Sequence, residues 1–240
     1  IAGEDRVVVS DEPGTTRDNV DFTVTMSGRT ITFVDTAGML QRSKIRGGVE
    51  FYSIVRSREA VERCSVCLLM LDCTLKIGRV ELMLASHIAK CRKPCILVFN
   101  KWDIPEAADT AQFSSYVSRR LPLLSHCPVA FISALSGFNV KRTLQIIPEL
   151  HDKSRAQIPT PMVNKTIRKI ADGKPPPARR GKSFKIYYGT QTGIQPPTFT
   201  LFVNDPKLVT PTYRRFLERN MCEAFDLEEI PISLRLRSRR

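Results

Sequence analysis

No run of about 18 consecutive apolar residues occurs in this 240-residue sequence, so no transmembrane helix is expected. Its most apolar stretch, Val66 to Leu71, is only long enough for a strand. The basic, apolar, small-residue succession of a secretory signal is also lacking, and the first residue is Ile rather than Met. The N-terminus therefore reads as a cut end. Histidine is scarce, with three residues against seven cysteines. Zinc would need a second ligand pair beside the Cys64/Cys67 or Cys91/Cys95 spacings, and His87, His126 and His151 do not supply one. The thiols read as buried or incidental, and free thiols without a signal suit a reducing cytoplasm. There are no internal repeats.

Acidic residues are sparse only in the C-terminal third. Residues 154–240 hold 17 Lys and Arg against 7 Asp and Glu, whereas residues 1–153 hold 20 against 17. The net charge of +13 is therefore concentrated at one end, which suits a polyanionic partner, most simply nucleic acid. With 42% hydrophobic and 25% charged residues the chain is globular in composition, and it is long enough for one large domain and one small one.

Two β-rich runs, Asp21–Ser27 and Thr30–Asp35, flank a Gly28-centred turn and predict a hairpin. Residues 48–63 carry apolar side chains at helical spacing. Short apolar strands are then expected at Val66–Asp72, Cys95–Asn100 and Val129–Ser133. They alternate with helices at Val80–Cys91, Phe113–Leu121 and Val140–Leu150. Fully apolar strands alternating with helices indicate a parallel sheet covered on both faces. The pattern stops near Leu150. After a linker at 153–162, Thr160-Pro161 reads as a helix start, with the helix reaching Asp172. A Pro- and Arg-rich loop, Gly173–Lys182, comes next. Strands at Phe184–Gly189 and Thr198–Val203, a helix from Thr210-Pro211 to Ala224, and a strand at Ile230–Leu236 follow. The domains are placed at 1–153 and 154–240, the second with the order α-β-β-α-β.

Three clusters follow predicted strands. Asp35-Thr36-Ala37-Gly38 ends the hairpin. An Asp there can hold Mg²⁺, and flexible Gly38 lets backbone N–H approach a terminal phosphate. Asn100-Lys101-Trp102-Asp103 follows CILVFN. The Asp103 carboxylate can accept both the ring N–H and the exocyclic amine of guanine, which adenine does not present together. Asn100 can tie neighbouring loops and approach the base, and the Lys101 stem can lie over it. Ser133-Ala134 follows VAFIS, and a backbone N–H there can reach guanine O6. All three lie at C-terminal strand ends, where open α/β sheets bind ligands. Upstream, Thr16 in Pro13-Gly14-Thr15-Thr16-Arg17-Asp18, preferred over Thr15, can ligand Mg²⁺ and touch γ-phosphate as a switch.

GEDRVVVSDEPGTTRD, DTAGM followed by RSKIRGGVEFYSIVRSREAVER, and NKWD together resemble the second G domain of the Der/EngA tandem GTPases. YYGTQTGIQPPTFTLFVNDP and YRRFLERNMCEAFDLEEIPISL resemble that family's KH-like domain, so the likeness covers the whole chain. It implies a Ras-like P-loop NTPase fold followed by a KH-like α/β domain docked on the G domain. It further implies GTP hydrolysis with Mg²⁺, GTP/GDP as ligands, and a role in large (50S) ribosomal subunit assembly in the cytoplasm. The partners would be the large subunit and its rRNA, with no DNA expected. Thr16 and Asp35 would serve Mg²⁺. Gly38 would face γ-phosphate, and Asn100, Lys101, Asp103, Ser133 and Ala134 would read guanine.

Three features common in P-loop NTPases, Ras-like enzymes or KH domains are absent, although a hydrophobic residue at the Met39 position is usual in the resembled family. No GxxxxGK[ST] loop occurs; it would precede Ile1 with the first strand, so tight GTP binding and an intact sheet are expected of the longer protein and not of these residues alone. Met39 stands where Ras-like enzymes orient the attacking water with Gln, so slow turnover is expected, with water placed by other groups, K⁺ or the ribosomal particle. No clear GxxG clamp lies between helices, so RNA contact is assigned to Lys174–Lys185, Arg214, Arg215, Arg219 and the Arg235–Arg240 tail, through phosphates. The rival readings are a non-enzymatic RNA- or ribosome-binding scaffold with a degenerate G domain, and a tRNA-modification GTPase that shares GTTRD and DTAG but lacks this C-terminal domain.

Neutralising Arg179, Arg180 and Lys182 together is expected to reduce the slope of log affinity for RNA against log salt by about 2, at roughly 0.7 to 0.9 per phosphate contact. Filter binding across a salt series measures it, and an unchanged slope removes this loop from the interface.

Overall fold

The computed structural model describes residues 21–26, 28–34, 57–104, 110–173 and 183–239. The expected hairpin is present: β1 (Asp21–Met26) pairs antiparallel with β2 (Arg29–Val34). Gly28 takes a φ of +74° at the turn, a conformation only glycine adopts without cost. Of the helix expected over 48–63, residues 57–63 are described and are helical.

A parallel sheet of β3 (Cys67–Asp72), β4 (Cys95–Asn100) and β5 (Val129–Phe131) follows, with β4 in the middle. Helices α1 (Arg79–Cys91), α2 (Thr110–Arg120) and α3 (Val140–Ser154) connect and flank it. β4 is apolar throughout because both its faces are covered, and Cys95 to Phe99 are each at most 1% exposed. Its side chains divide by parity. Cys95, Leu97 and Phe99 pack with α1 and α2, whereas Ile96 and Val98 belong to a cluster that runs into the C-terminal half. α1 starts where the Glu81 carboxylate accepts the Gly78 N–H at 2.8 Å, and ends on Arg92 in the left-handed region.

The C-terminal half has the expected α-β-β-α-β order: α4 (Thr160–Gly173), β6 (Ile186–Gly193), β7 (Thr198–Val203), α5 (Pro211–Ala224) and β8 (Ser233–Ser238). β7 lies between β6, antiparallel, and β8, parallel. Val163, Ile167 and Ile170 of α4 and Leu217 and Met221 of α5 cover it. Thr210 caps α5 as its sequence predicts, accepting the Tyr213 N–H at 3.1 Å. Thr160 does not cap α4: the Pro159 carbonyl accepts from Met162 and Val163, so Thr160 already lies in the first turn.

Three strands depart from the expected bounds by two residues or more. β6 runs on to Gly193 because Thr192 bonds Thr200 across the pair at 2.9 Å, and Gln191 ties the strand to the linker by donating to Ala156 O and accepting from Ile158 N. β8 begins at Ser233 rather than Ile230, since Pro231 has no N–H for a ladder and Ile230 and Ile232 are buried in the shared cluster. β5 stops at Phe131, two residues early, where the chain turns into the loop at Ser133.

The halves dock, as expected. Lys153 reaches Asp226 and Glu229 at 3.3 and 3.5 Å, the Arg92 guanidinium donates to Ile232 O, and the Gln195 N–H donates to Ser154 O at 3.2 Å. Among the described residues no helix is long and apolar enough to cross a membrane.

Gly189 packs so closely that an added Cβ would lie 2.5 Å from Leu201 Cδ2. Asn164 exploits that approach: its amide accepts the Gly189 N–H and donates to Gly189 O, each at 2.9 Å, and it donates to Thr160 O at 2.8 Å. Asn164→Ala leaves Gly189 unpaired at the β6 edge and is expected to cost about 1–3 kcal/mol in urea unfolding. No loss would contradict the pairing.

Candidate functional site

Sheet register brings two of the expected loops together. β4 and β5 run parallel with Phe99 opposite Phe131, so residues 100–103 and 133–134 leave adjacent strands at the same edge. The Asn100 side chain closes the gap, its Oδ1 accepting the Ala134 N–H at 2.9 Å. Trp102 N–H donates to Ile132 O at 3.0 Å, and the Trp102 ring packs on Phe131 with centroids 4.2 Å apart. Asp103, with its carboxylate, stands exposed beyond this braced turn.

Lys101 takes a φ of +67°, costly for a residue with a Cβ and held here by its surroundings. Its carbonyl accepts from Ile104 N and from the Cys73 thiol. Its ammonium is not poised over an empty site: it pairs with Asp72 at the end of β3, at 2.8 Å. Asp72 also accepts the Thr74 N–H and hydroxyl at 2.9 and 2.7 Å. Partial burial pushes the Asp72 carboxyl up, but the bonds from Lys101 and Thr74 outweigh it and hold the group below the usual carboxylate range.

Ser133 is fully buried; its N–H donates to Phe138 O at 3.2 Å, and its hydroxyl accepts the Ser136 N–H at 3.1 Å. Both backbone N–H groups of Ser133-Ala134, where one was expected to meet guanine O6, are thus engaged within the protein. Two residues were missed by sequence reasoning. Asp72 occupies the same kind of strand-end position as Asn100 and could have been found by that rule. Asn139, at φ +56°, donates to Phe131 O at 2.9 Å and anchors the loop's far end; an Asn two residues after Gly137 was the available signal. Thr16, Asp35, Thr36, Ala37 and Gly38 lie outside the described residues.

A second surface lies on the C-terminal half. A groove of about 810 Å³ runs along α4, lined by Lys165, Arg168, Lys169 and Asp172 of that helix and by Tyr188 of β6. One face of Tyr188 stacks on Phe202 at 4.3 Å. Arg235, Arg237 and Arg239 project, exposed, from β8 and its end. Arg214 differs from expectation: its guanidinium donates to Leu234 O and to Glu218, and so braces α5 against β8. The 174–182 loop lies outside the described residues.

Residues 157–237 match the family described as the KH-domain-like of EngA bacterial GTPase enzymes, C-terminal, and residues 1–101 match the 50S ribosome-binding GTPase family. The chain is 40% identical over its full length to GTPase Der of Desulforudis audaxviator and 39% identical to GTPase Der of Clostridium kluyveri. In each case it spans 55% of the relative's length. Its fold resembles Era in complex with MgGDPNP and nucleotides 1506–1542 of 16S ribosomal RNA, with a TM-score of 0.52 at 20% identity, covering 97% of this chain and 84% of Era.

The Asp72 shift gives a pH dependence with a definite sign. A carboxylate whose folded pKa is depressed adds stability above its unfolded value of about 3.9, and that stability is lost as pH falls through the folded value. Asp72→Asn is expected to cost up to about 1 kcal/mol near neutrality, because Lys101 is half exposed and screened, and to cost nothing well below pH 3.9. Urea unfolding at the two pH values checks it; a pH-independent difference would contradict the ion pair.

Proposed function

Since the chain belongs to the Der/EngA family of GTPases, we propose that the intact protein binds guanine nucleotide at the β4 and β5 strand ends. It hydrolyses GTP to GDP and phosphate during assembly of the large (50S) ribosomal subunit, in the cytoplasm. The observation that carries this reading is the 2.9 Å bond from Ala134 N–H to Asn100 Oδ1, which braces two loops of the right composition at one sheet edge. Asp103 accepts the guanine ring N–H and amine. Ala134 shares its N–H between Asn100 and O6. Lys101 gives up Asp72 to lie along the base. Thr16 and Asp35 hold Mg²⁺, and Thr36, Ala37 and Gly38 meet the γ-phosphate. With Met39 unable to orient water, K⁺ or the ribosomal particle helps to place it.

We place the domain boundary at residues 153/154, one residue before α3 ends. The C-terminal domain serves as the rRNA-facing module. Its support is a groove that Lys165, Arg168 and Lys169 line together with the exposed Tyr188, a combination suited to phosphates and an unstacked base. Docking on the first domain leaves this groove open.

The test is nucleotide hydrolysis by the intact protein with Mg²⁺, in K⁺ and in Na⁺ buffer. The wild type is expected to turn over GTP slowly, and faster in K⁺. Asp103→Asn replaces an acceptor with a donor, which suits the second carbonyl of xanthine instead of guanine's amine. Its kcat/KM for GTP is expected to fall by about 10²-fold, from one lost charge-assisted contact of about 1.5–3 kcal/mol, while hydrolysis of the xanthosine triphosphate rises. No turnover in either buffer, or a variant indistinguishable from wild type, overturns the reading.

A further inference from the structure

At the other end of the sheet, away from the guanine-facing loops, three unlike donors converge. His87 and Cys91 lie one turn apart on α1 and so share a face. Glu62, in the helical segment 57–63, meets them. His87 Nε2 lies 3.5 Å from Glu62 Oε1 and 3.6 Å from Cys91 Sγ, and the three donor atoms all fall within 4.8 Å of one another.

The two separations from His87 Nε2, 3.5 and 3.6 Å, match those of a tetrahedral metal site. Bonds of about 2.0–2.1 Å to nitrogen, 2.0–2.2 Å to oxygen and 2.3 Å to sulfur put neighbouring ligand atoms about 3.3–3.7 Å apart. The surroundings favour a held geometry. The Lys93 ammonium, two residues beyond Cys91, donates to Glu62 O and Cys64 O at 2.9 and 2.8 Å, and so clamps the chain that presents Glu62. Cys64 and Cys67, with sulfurs 3.3 Å apart, follow Glu62 on the same stretch of chain. His87 is mostly buried and Glu62 mostly exposed, at 17% and 64% of their side chains, so the donors form a socket open on one side.

We propose that Glu62, His87 and Cys91 form a structural site for a borderline divalent cation, Zn²⁺ above all, that staples the 57–63 helix to α1. Nitrogen, sulfur and one carboxylate oxygen suit Zn²⁺ and not Mg²⁺, which prefers an all-oxygen octahedron. Thiolate and carboxylate charges balance the ion, and binding releases the Cys91 proton. The site is separate from the Mg²⁺ bound with nucleotide. Cysteine spacing alone did not reveal it, because the pair that matters joins a helix residue to a histidine one turn away and to a carboxylate 25 residues earlier.

Cobalt titration of the full chain, kept reduced, tests this. One equivalent of Co²⁺ is expected to produce a thiolate-to-cobalt charge-transfer band and tetrahedral ligand-field bands, which Zn²⁺ then displaces. Cys91→Ser is expected to abolish the charge-transfer band, and His87→Gln to weaken binding at least 10-fold. Glu62→Gln, at an exposed position, is expected to weaken it about 10-fold. The Cys64→Ser/Cys67→Ser double variant retains a charge-transfer band. Zn²⁺ is expected to raise the melting temperature of the wild type, and to do so less for Glu62→Gln. No band, a band that survives Cys91→Ser, one lost only in the double variant, or Glu62→Gln binding like wild type overturns the proposal.

Discussion

The burial of β4 on both faces is the constraint on which the rest of this structure depends. One face, Cys95, Leu97 and Phe99, closes the core beneath α1 and α2. The other, Ile96 and Val98, joins a cluster that continues through Ile132 and Leu150 to Phe199, Leu227 and Ile230. A two-sided apolar strand is dictated by period-two geometry and leaves no freedom of register, since a one-residue slip would exchange the two cores. The same strand ends at Asn100. The loop proposed to read the base is therefore delivered by an element whose other face is packed into the cluster shared with the C-terminal half. Ile96 and Val98 thus pack the strand that carries Asn100 into the cluster shared with that half.

The site shows a second level of constraint. Its loops are braced by bonds that a ligand would have to share or displace. Ala134 N–H is satisfied by Asn100, Ser133 N–H by Phe138, and the Lys101 ammonium by Asp72. This follows from the rule that polar groups near a core find partners. Binding here exchanges bonds in place of filling empty valences. The positive φ at Lys101 stores local strain at the position where such an exchange is expected.

Much of this was legible in the sequence. CILVFN announced a buried strand with its bounds, and Thr210-Pro211 announced a capped helix that the structure contains. Regular periodicity and cap chemistry are local, so they survive folding. Three things were not legible, each because a distant partner decided it. β6 outran its apolar pattern because Thr192 and Gln191 found partners across the sheet and in the linker. Arg214 looked like a phosphate ligand until Leu234 and Glu218 claimed it. The Glu62–His87–Cys91 cluster required α1 to lie against the 57–63 helix before its donors could meet. Of the candidate site, the Asn100 and Ala134 side could be compared with the fold, and the Asp35 to Gly38 side lies outside the described residues.

Guanine recognition at the β4 and β5 strand ends is most directly measured by titrating the intact protein with GDP, IDP and ADP. Hypoxanthine keeps the ring N–H and O6 of guanine but lacks the exocyclic amine, and adenine lacks all three features. GDP is predicted to bind most tightly, with IDP at least about 10-fold weaker for one lost charge-assisted bond, and ADP weaker again. Equal affinity for the three diphosphates would contradict the account.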